Sequence, residues 1–103
     1  MYASIIDMKL RQPVDHVLFD ELREDFVPRV AEHPGFRGFQ YVLAEQGPAV
    51  GILWYEQSED LDGITRLAGT WFQDHIAPRL AKPEAGVRGH VVVDRRLGLR
   101  GDA

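Results

Sequence analysis

The sequence predicts an α+β domain built around a four-stranded antiparallel sheet. Four short segments alternate apolar with polar residues or concentrate β-branched residues, which is typical of strands. Two longer segments repeat apolar residues every three or four positions, which is typical of amphipathic helices. Along the 103 residues these segments follow the order βαββαβ, the ferredoxin-like arrangement, and this length supports a single domain.

The first strand is predicted over residues 2–10, where Ser4 and Ile6 share one face and Ile5 and Asp7 share the other. A helix is predicted over about residues 15–32, with an apolar stripe formed by Val14, Leu18, Leu22, Phe26 and Val30.

Two residues shape that first helix. Asp15 stands where its carboxylate can cap the N-terminus. Pro28 lies inside the pattern and lacks a backbone donor, so we expect a kink or a break near Asp25.

The second and third strands are predicted over residues 36–44 and 49–57, joined by a hairpin turn at residues 45–48. The third strand is apolar on both faces, which indicates that both faces are covered. One layer of helices covers only one face of a sheet, and a second copy of the chain is the simplest cover for the other. We therefore expect a homodimer.

The second helix is predicted to begin after an N-cap at Ser58 and to run to about Leu80. The last strand is predicted over residues 87–94. The domain would then occupy residues 1–95, followed by a short C-terminal tail at residues 96–103.

Composition removes several classes of function. The chain has no cysteine, which excludes disulfides and thiolate sites, and its net charge of -4 with no basic cluster outside the tail argues against nucleic acid. It lacks a basic leader and any apolar run of about 20 residues, so we expect a soluble cytoplasmic protein and no membrane contact. Neither a serine nucleophile motif nor a spacing typical of metal ligands occurs.

The candidate site lies in residues 71–80, where His75 follows Trp71 by one helical turn. His75 is either a general base for a phenolic substrate, since imidazole titrates near neutral pH, or a histidine bonded to a neighbour. Trp71, Phe72, Trp54 and Tyr41 are either the lining of a pocket for a small aromatic ligand or core filler. We expect neither a metal nor a cofactor.

Three segments carry a resemblance to a known family: residues 33–39 (HPGFRGF), residues 54–56 (WYE), and the helix with Trp71 and His75. In this order the chain resembles the antibiotic-biosynthesis-monooxygenase-like family of dimeric α/β barrels. The resemblance implies a homodimer with a pocket between sheet and helices in each subunit. Some relatives oxidise quinol-like aromatic polyketides with O₂ and no cofactor, typically using an asparagine that this chain lacks, and others degrade haem.

The function that follows from this resemblance is a cofactor-independent monooxygenase acting on a small phenol or quinol. His75 would take the substrate proton, Trp71 and Tyr41 would hold the ring, and Trp54 would close the pocket. The alternative is a non-catalytic dimer that binds a small ligand or has only a structural role. Haem binding through His75 is a third hypothesis.

Overall fold

The computed structural model describes residues 1–45, 49–82 and 85–92 and shows the predicted order of elements. The strands are Tyr2–Asp7 (β1), Phe36–Leu43 (β2), Ala49–Tyr55 (β3) and Ala85–His90 (β4). They form one antiparallel sheet in the order β2-β3-β1-β4, which confirms the ferredoxin-like fold class. Most of the predicted hairpin turn, and the whole predicted tail, lie outside the described residues.

The register of β1 decides which side chains meet the helices. Ser4 is the Cα partner of Leu53 on one side and of Arg88 on the other, so these three residues share a face. Ser4 and Met8 are buried on that face, whereas Ile5 points to the opposite face and is exposed. The alternation predicted for this strand is therefore confirmed.

The first helix is interrupted in the region where Pro28 predicts a break. It comprises an α-helix, a π-helical turn and a second α-helix, at His16–Glu21 (α1), Leu22–Phe26 and Val27–Val30 (α2). Pro28 lies in the first turn of α2, where it has no N–H to donate back to the Glu24 carbonyl. At the other end, the Leu18 N–H donates to Asp15 Oδ1 at 3.0 Å, which confirms the predicted cap.

The second helix is also interrupted, and here the prediction of one continuous helix to Leu80 is wrong. It comprises an α-helix, a π-helical turn and a 3₁₀ turn, at Asp60–Ala68 (α3), Phe72–Ile76 and Ala77–Arg79. Gly69 ends α3 with φ of 55° and ψ of -133°, a conformation that side chains of L-residues disfavour. None of the described helices is long and apolar enough to cross a bilayer.

The predicted N-cap at Ser58 is also wrong. The N-cap position is Glu59, and no side chain caps the helix there. The carboxylate of Asp60 instead accepts a hydrogen bond from the Gln57 N–H at 2.8 Å, which fixes the turn that enters α3.

The core lies between the helices and one face of the sheet. Its largest fully buried side chains include Tyr55, Met8, Leu18, Ile64 and Ile76. An aromatic series crosses it: the ring of Phe26 lies 5.2 Å from Phe39 on β2 and 5.2 Å from Trp71 of the second helix. Aromatic contacts at such distances favour one packing arrangement and join both helices to the sheet.

The opposite face of the sheet carries apolar residues that none of the described helices covers. Val87, Ile5 and Ile52 follow one another in register across three strands, and Val87 is 70% exposed. Trp54 lies on the same face and is half-buried. Both faces of the sheet are thus apolar, as the sequence of the third strand predicts.

Replacing Gly69 with alanine tests the break in the second helix. We expect Gly69→Ala to lower the free energy of unfolding by about 1–3 kcal/mol, because the added Cβ opposes the positive φ. Urea unfolding followed by circular dichroism measures the change. Gly89→Ala is the control, since a Cβ there meets no atom within 4 Å. Equal stability of Gly69→Ala and the wild type would contradict the assignment.

Candidate functional site

A cavity of about 470 Å³ lies between the sheet and the second helix, and we call it the helix–sheet cavity. Its floor comes from β1, β3 and β4, with Ser4, Ile6, Leu53, Gly86 and Arg88. Its roof comes from the two helices, with Phe26, Leu61, Ile64, Ala68 and Phe72. Most of these side chains are apolar, and the volume suits a ligand of two or three rings.

Small residues make the space. Ser4 and Gly86 lie on neighbouring strands of the floor, and α3 ends above them at Ala68 and Gly69. Gly86 also has a packing reason to be small, because a Cβ there would lie 2.6 Å from the Ile5 carbonyl oxygen. Larger side chains at these positions would fill the cavity and close it.

Few polar residues line the cavity, namely Ser4, Thr65, Gln73 and Arg88. Ser4 Oγ lies 3.0 Å from the hydroxyl of Tyr55. Thr65 Oγ1 donates to the Leu61 carbonyl at 2.7 Å, so its proton is already used. Arg88 forms no ion pair with any described residue. The cavity can therefore hold an apolar ring and present it with one positive charge.

Trp71 and His75 lie together, but beside the helix–sheet cavity and not in its lining. Their rings stack with centroids 4.5 Å apart and planes 19° apart. Trp71 is 5% exposed, and its Nε1–H donates to Asp25 Oδ2 at 2.5 Å. Phe26, which does line the cavity, separates Trp71 from it.

The other contacts of His75 involve Glu21 and Arg79. Its Nδ1 lies 3.7 Å from Glu21 Oε1, and the same oxygen accepts a hydrogen bond from Arg79 at 2.9 Å. Arg79 also donates to the His75 carbonyl at 2.8 Å. These contacts join the second helix to α1 and account for the position of the imidazole without a ligand.

Tyr41 lines a different cavity, of about 320 Å³, between the first helix and β2. We call it the Tyr41 cavity, and Phe19, Leu22, Val27 and Phe39 complete most of its lining. The Tyr41 hydroxyl donates to the Met8 carbonyl at 3.1 Å. Burial disfavours the charged phenolate and raises the pKa of Tyr41 above its ordinary value of 10.0.

The structure thus separates the residues that the sequence groups together. Phe72 lines the helix–sheet cavity, Tyr41 lines its own cavity, Trp71 and His75 lie behind Phe26, and Trp54 lies on the far face of the sheet. Among the described residues no group of three or more histidines and carboxylates could hold a metal ion.

Sequence reasoning missed Ser4, Phe26 and Arg88 as lining residues. The alternation of β1 indicated which way Ser4 faces, and the small side chain was the available signal. Arg88 gave no such signal, because its place beside Ser4 depends on the pairing of β1 with β4.

The fold is shared with solved structures of low sequence identity. A candidate antibiotic biosynthesis monooxygenase from Nitrosomonas europaea matches with a TM-score of 0.74 and 18% identity, over 90% of this chain and 100% of that one. A monooxygenase of Streptomyces coelicolor in complex with nanaomycin D matches with a TM-score of 0.69 and 16% identity, over 90% of this chain and 92% of that one. The haem degrader MhuD of Mycobacterium tuberculosis, with two haems bound, matches with a TM-score of 0.61 and 20% identity, over 93% of this chain and 100% of that one.

The neighbours also include a dimeric ferredoxin-like protein from an uncultured marine organism, with a TM-score of 0.68 and 16% identity over 94% of this chain and 92% of that one. No protein-family model and no curated protein sequence matches the chain. At these identities the likeness shows the fold, and at that level it confirms the resemblance inferred from the sequence.

Replacing Tyr41 tests the environment of its hydroxyl. We expect Tyr41→Phe to lower the free energy of unfolding at neutral pH by about 1 kcal/mol, because the Met8 carbonyl loses its donor. The neutral, buried phenol of Tyr41 stabilises the folded state at pH values below the pKa that Tyr41 has in the unfolded chain. This stabilisation is lost as the pH rises through the higher pKa that Tyr41 has in the folded state. The wild type should therefore lose stability at alkaline pH, and the variant should lose less.

Urea unfolding across a pH series measures both effects. Tyr2→Phe is the control, since the Tyr2 hydroxyl has no hydrogen bond to a described residue. Parallel alkaline losses in the wild type and in Tyr41→Phe would contradict the interpretation.

Proposed function

We propose that this chain is a monooxygenase that oxidises a small, electron-rich phenol or quinol in the helix–sheet cavity. The observation that supports the proposal is the cavity itself: about 470 Å³ of mainly apolar, partly aromatic lining with a single arginine in its floor. Structural neighbours that hold flat aromatic ligands, nanaomycin D and haem, have the same fold. The activity is a proposal for this chain, since the likeness to those neighbours shows fold alone.

The reaction needs no electron donor other than its substrate. A phenol and O₂ together contain the atoms of a quinone and water, so one oxygen atom enters the ring and the other leaves as water. The four electrons that reduce O₂ come from the substrate, which is why a cofactor is not required by the stoichiometry. The protein's task is to bind the ring, to exclude bulk water and to favour the electron-rich anion.

Arg88 is the group placed to favour that anion. Arg88 lines the cavity, is exposed and has no carboxylate partner among the described residues, so its charge is available to a ligand oxygen. A positive charge beside a phenol lowers the pKa of that phenol. The phenolate then reacts with O₂ more readily than the phenol.

His75 is the other candidate for the proton, as the sequence suggests. Its ring stacks on Trp71 and does not line the cavity, so direct transfer to a ligand in the cavity would require that stack to open. The same geometry disfavours haem binding through His75, because a haem ligand must face the cavity that holds the ring.

The second candidate function is binding without catalysis, in the same cavity. The observation in its favour is the near absence of polar groups that could take a proton from the ligand: Ser4 and Thr65 are hydroxyls, and Arg88 is a fixed cation. Oxygen consumption distinguishes the two functions, because a binding protein takes up the ring but consumes no O₂.

Oxygen uptake with a panel of phenols and quinols tests the monooxygenase, with calorimetry of the same compounds under nitrogen to measure binding. We expect uptake above the rate of autoxidation, with a quinone as product. Ala68→Phe should reduce both binding and uptake by about tenfold or more, because the added ring fills the cavity. Ala31→Phe adds the same side chain at an exposed position outside both cavities and should change neither.

Four outcomes separate the hypotheses. Binding without uptake supports the ligand-binding function, and absence of both contradicts any function of this cavity. If oxygen uptake persists in His75→Ala, the substrate loses its proton to water with the help of Arg88. If uptake disappears in His75→Ala while binding is unchanged, His75 takes the proton from the substrate.

We further propose that the chain forms a homodimer through the open face of the sheet. The face presents Val87, Ile5 and Ile52 in one row, with Trp54 beside them, and such an apolar surface is rarely left in water. A neighbour with the same fold is described as dimeric.

The dimer predicts a mass of two chains at low micromolar concentration, measured by light scattering. Ile5→Lys should give a single chain, because it places a charge in the centre of the apolar row. Val17→Lys is the control, since Val17 lies on the outer side of α1 and is 62% exposed. A wild-type protein with the mass of one chain would contradict the proposed dimer.

A further inference from the structure

We propose that Ser4 donates a hydrogen bond to an oxygen atom of the bound ligand and that Tyr55 positions and polarises it for this role. The proposal extends the proposed function, on which it rests, to a defined contact: an acceptor oxygen, such as a ring carbonyl or a phenolate, directed at β1. Ser4 is the contact residue and Tyr55 is a positioning residue.

The Ser4 and Tyr55 hydroxyls carry more protons than the hydrogen bond between them uses. Ser4 and Tyr55 are both buried, with exposures of 6% and 1%, and their oxygens lie 3.0 Å apart. Two hydroxyls carry two protons, and the hydrogen bond between them uses one. In the described part of the chain neither hydroxyl has another hydrogen-bond partner, so one O–H proton is left without an acceptor.

The positions of Ser4 and Tyr55 decide which of the two hydroxyl protons is left without an acceptor. Tyr55 is enclosed and does not line the helix–sheet cavity, whereas Ser4 does. If Ser4 donated to Tyr55, the phenolic proton would be buried with no acceptor, which costs free energy. A phenol is also the stronger acid and the better donor. Tyr55 therefore donates to Ser4, and the Ser4 proton points to the cavity.

The free Ser4 proton is available to an acceptor oxygen of the ligand. A hydroxyl that accepts a hydrogen bond becomes a better donor, so Tyr55 strengthens the bond that Ser4 makes. Ser4 and Arg88 are Cα partners on neighbouring strands, and both residues line the cavity. An oxygen bound to Ser4 is therefore close to a residue that carries further donors, which a developing oxyanion favours. The remaining lining receives the apolar ring.

Vibrational spectroscopy of a bound ketone tests the contact. The probe is tetralone, an aryl ketone of two rings, and tetralin is the same skeleton without oxygen. We expect the carbonyl stretch of bound tetralone to move to lower frequency than in a non-donating solvent. In Ser4→Ala the part of this shift that Ser4 causes should be lost, and the affinity for tetralone should fall about three- to tenfold, with the affinity for tetralin unchanged.

Two further variants separate contact from structure. Tyr55→Phe leaves the Ser4 donor in place, so the shift should become smaller but persist. Thr65→Val removes a cavity hydroxyl whose proton is already donated to Leu61, so the shift should stay at the wild-type value. Circular dichroism confirms that each variant is folded.

The outcomes distinguish this inference from the function on which it rests. Tetralone that binds with the same carbonyl frequency in the wild type and in Ser4→Ala overturns the Ser4 contact, while the cavity remains a binding site. An equal effect of Thr65→Val and Ser4→Ala also overturns it. Failure of tetralone and tetralin alike to bind overturns both the contact and the proposed function.

Discussion

The packing of Trp71 against the first helix is the interaction on which the arrangement of the two helices depends. Both helices are interrupted by π-helical turns, and Trp71 immediately precedes the second turn while it bonds to Asp25 within the first. Phe26 lies against the same indole and forms part of the cavity wall. A buried aromatic ring with its one polar atom satisfied is rigid, so the cavity has a fixed wall where two irregular helices meet.

Much of the fold could be predicted because local chemistry specifies it. The alternation of β1, the cap at Asp15 and the break caused by Pro28 each depend on residues close in sequence. The errors lie where two local signals compete. Gly69 ends α3 although the apolar pattern continues beyond it. At the N-terminus of α3 the carboxylate of Asp60, and not the hydroxyl of Ser58, accepts the backbone hydrogen bond of the turn.

Less of the candidate site could be predicted, for a geometric reason. Helical periodicity places Trp71 and His75 on one stripe, and the structure does bring their rings together. Periodicity does not say whether that stripe faces a cavity or the neighbouring helix, because the answer depends on the size of side chains elsewhere. Here the space comes from small residues such as Ser4 and Gly86, which pattern analysis treats as weak signals.

The different surroundings of the two tryptophans give the protein two optical reporters. Trp71 is enclosed beside Phe26, which lines the helix–sheet cavity, so we expect its emission to change with what occupies that cavity. Trp54 lies on the open face of the sheet, so its emission responds to whatever covers that face. Since the chain has two tryptophans, replacing either by phenylalanine leaves a single emitter that follows one process. The proposed ligand binding and the proposed dimer can then be followed separately in the same protein, without an added dye.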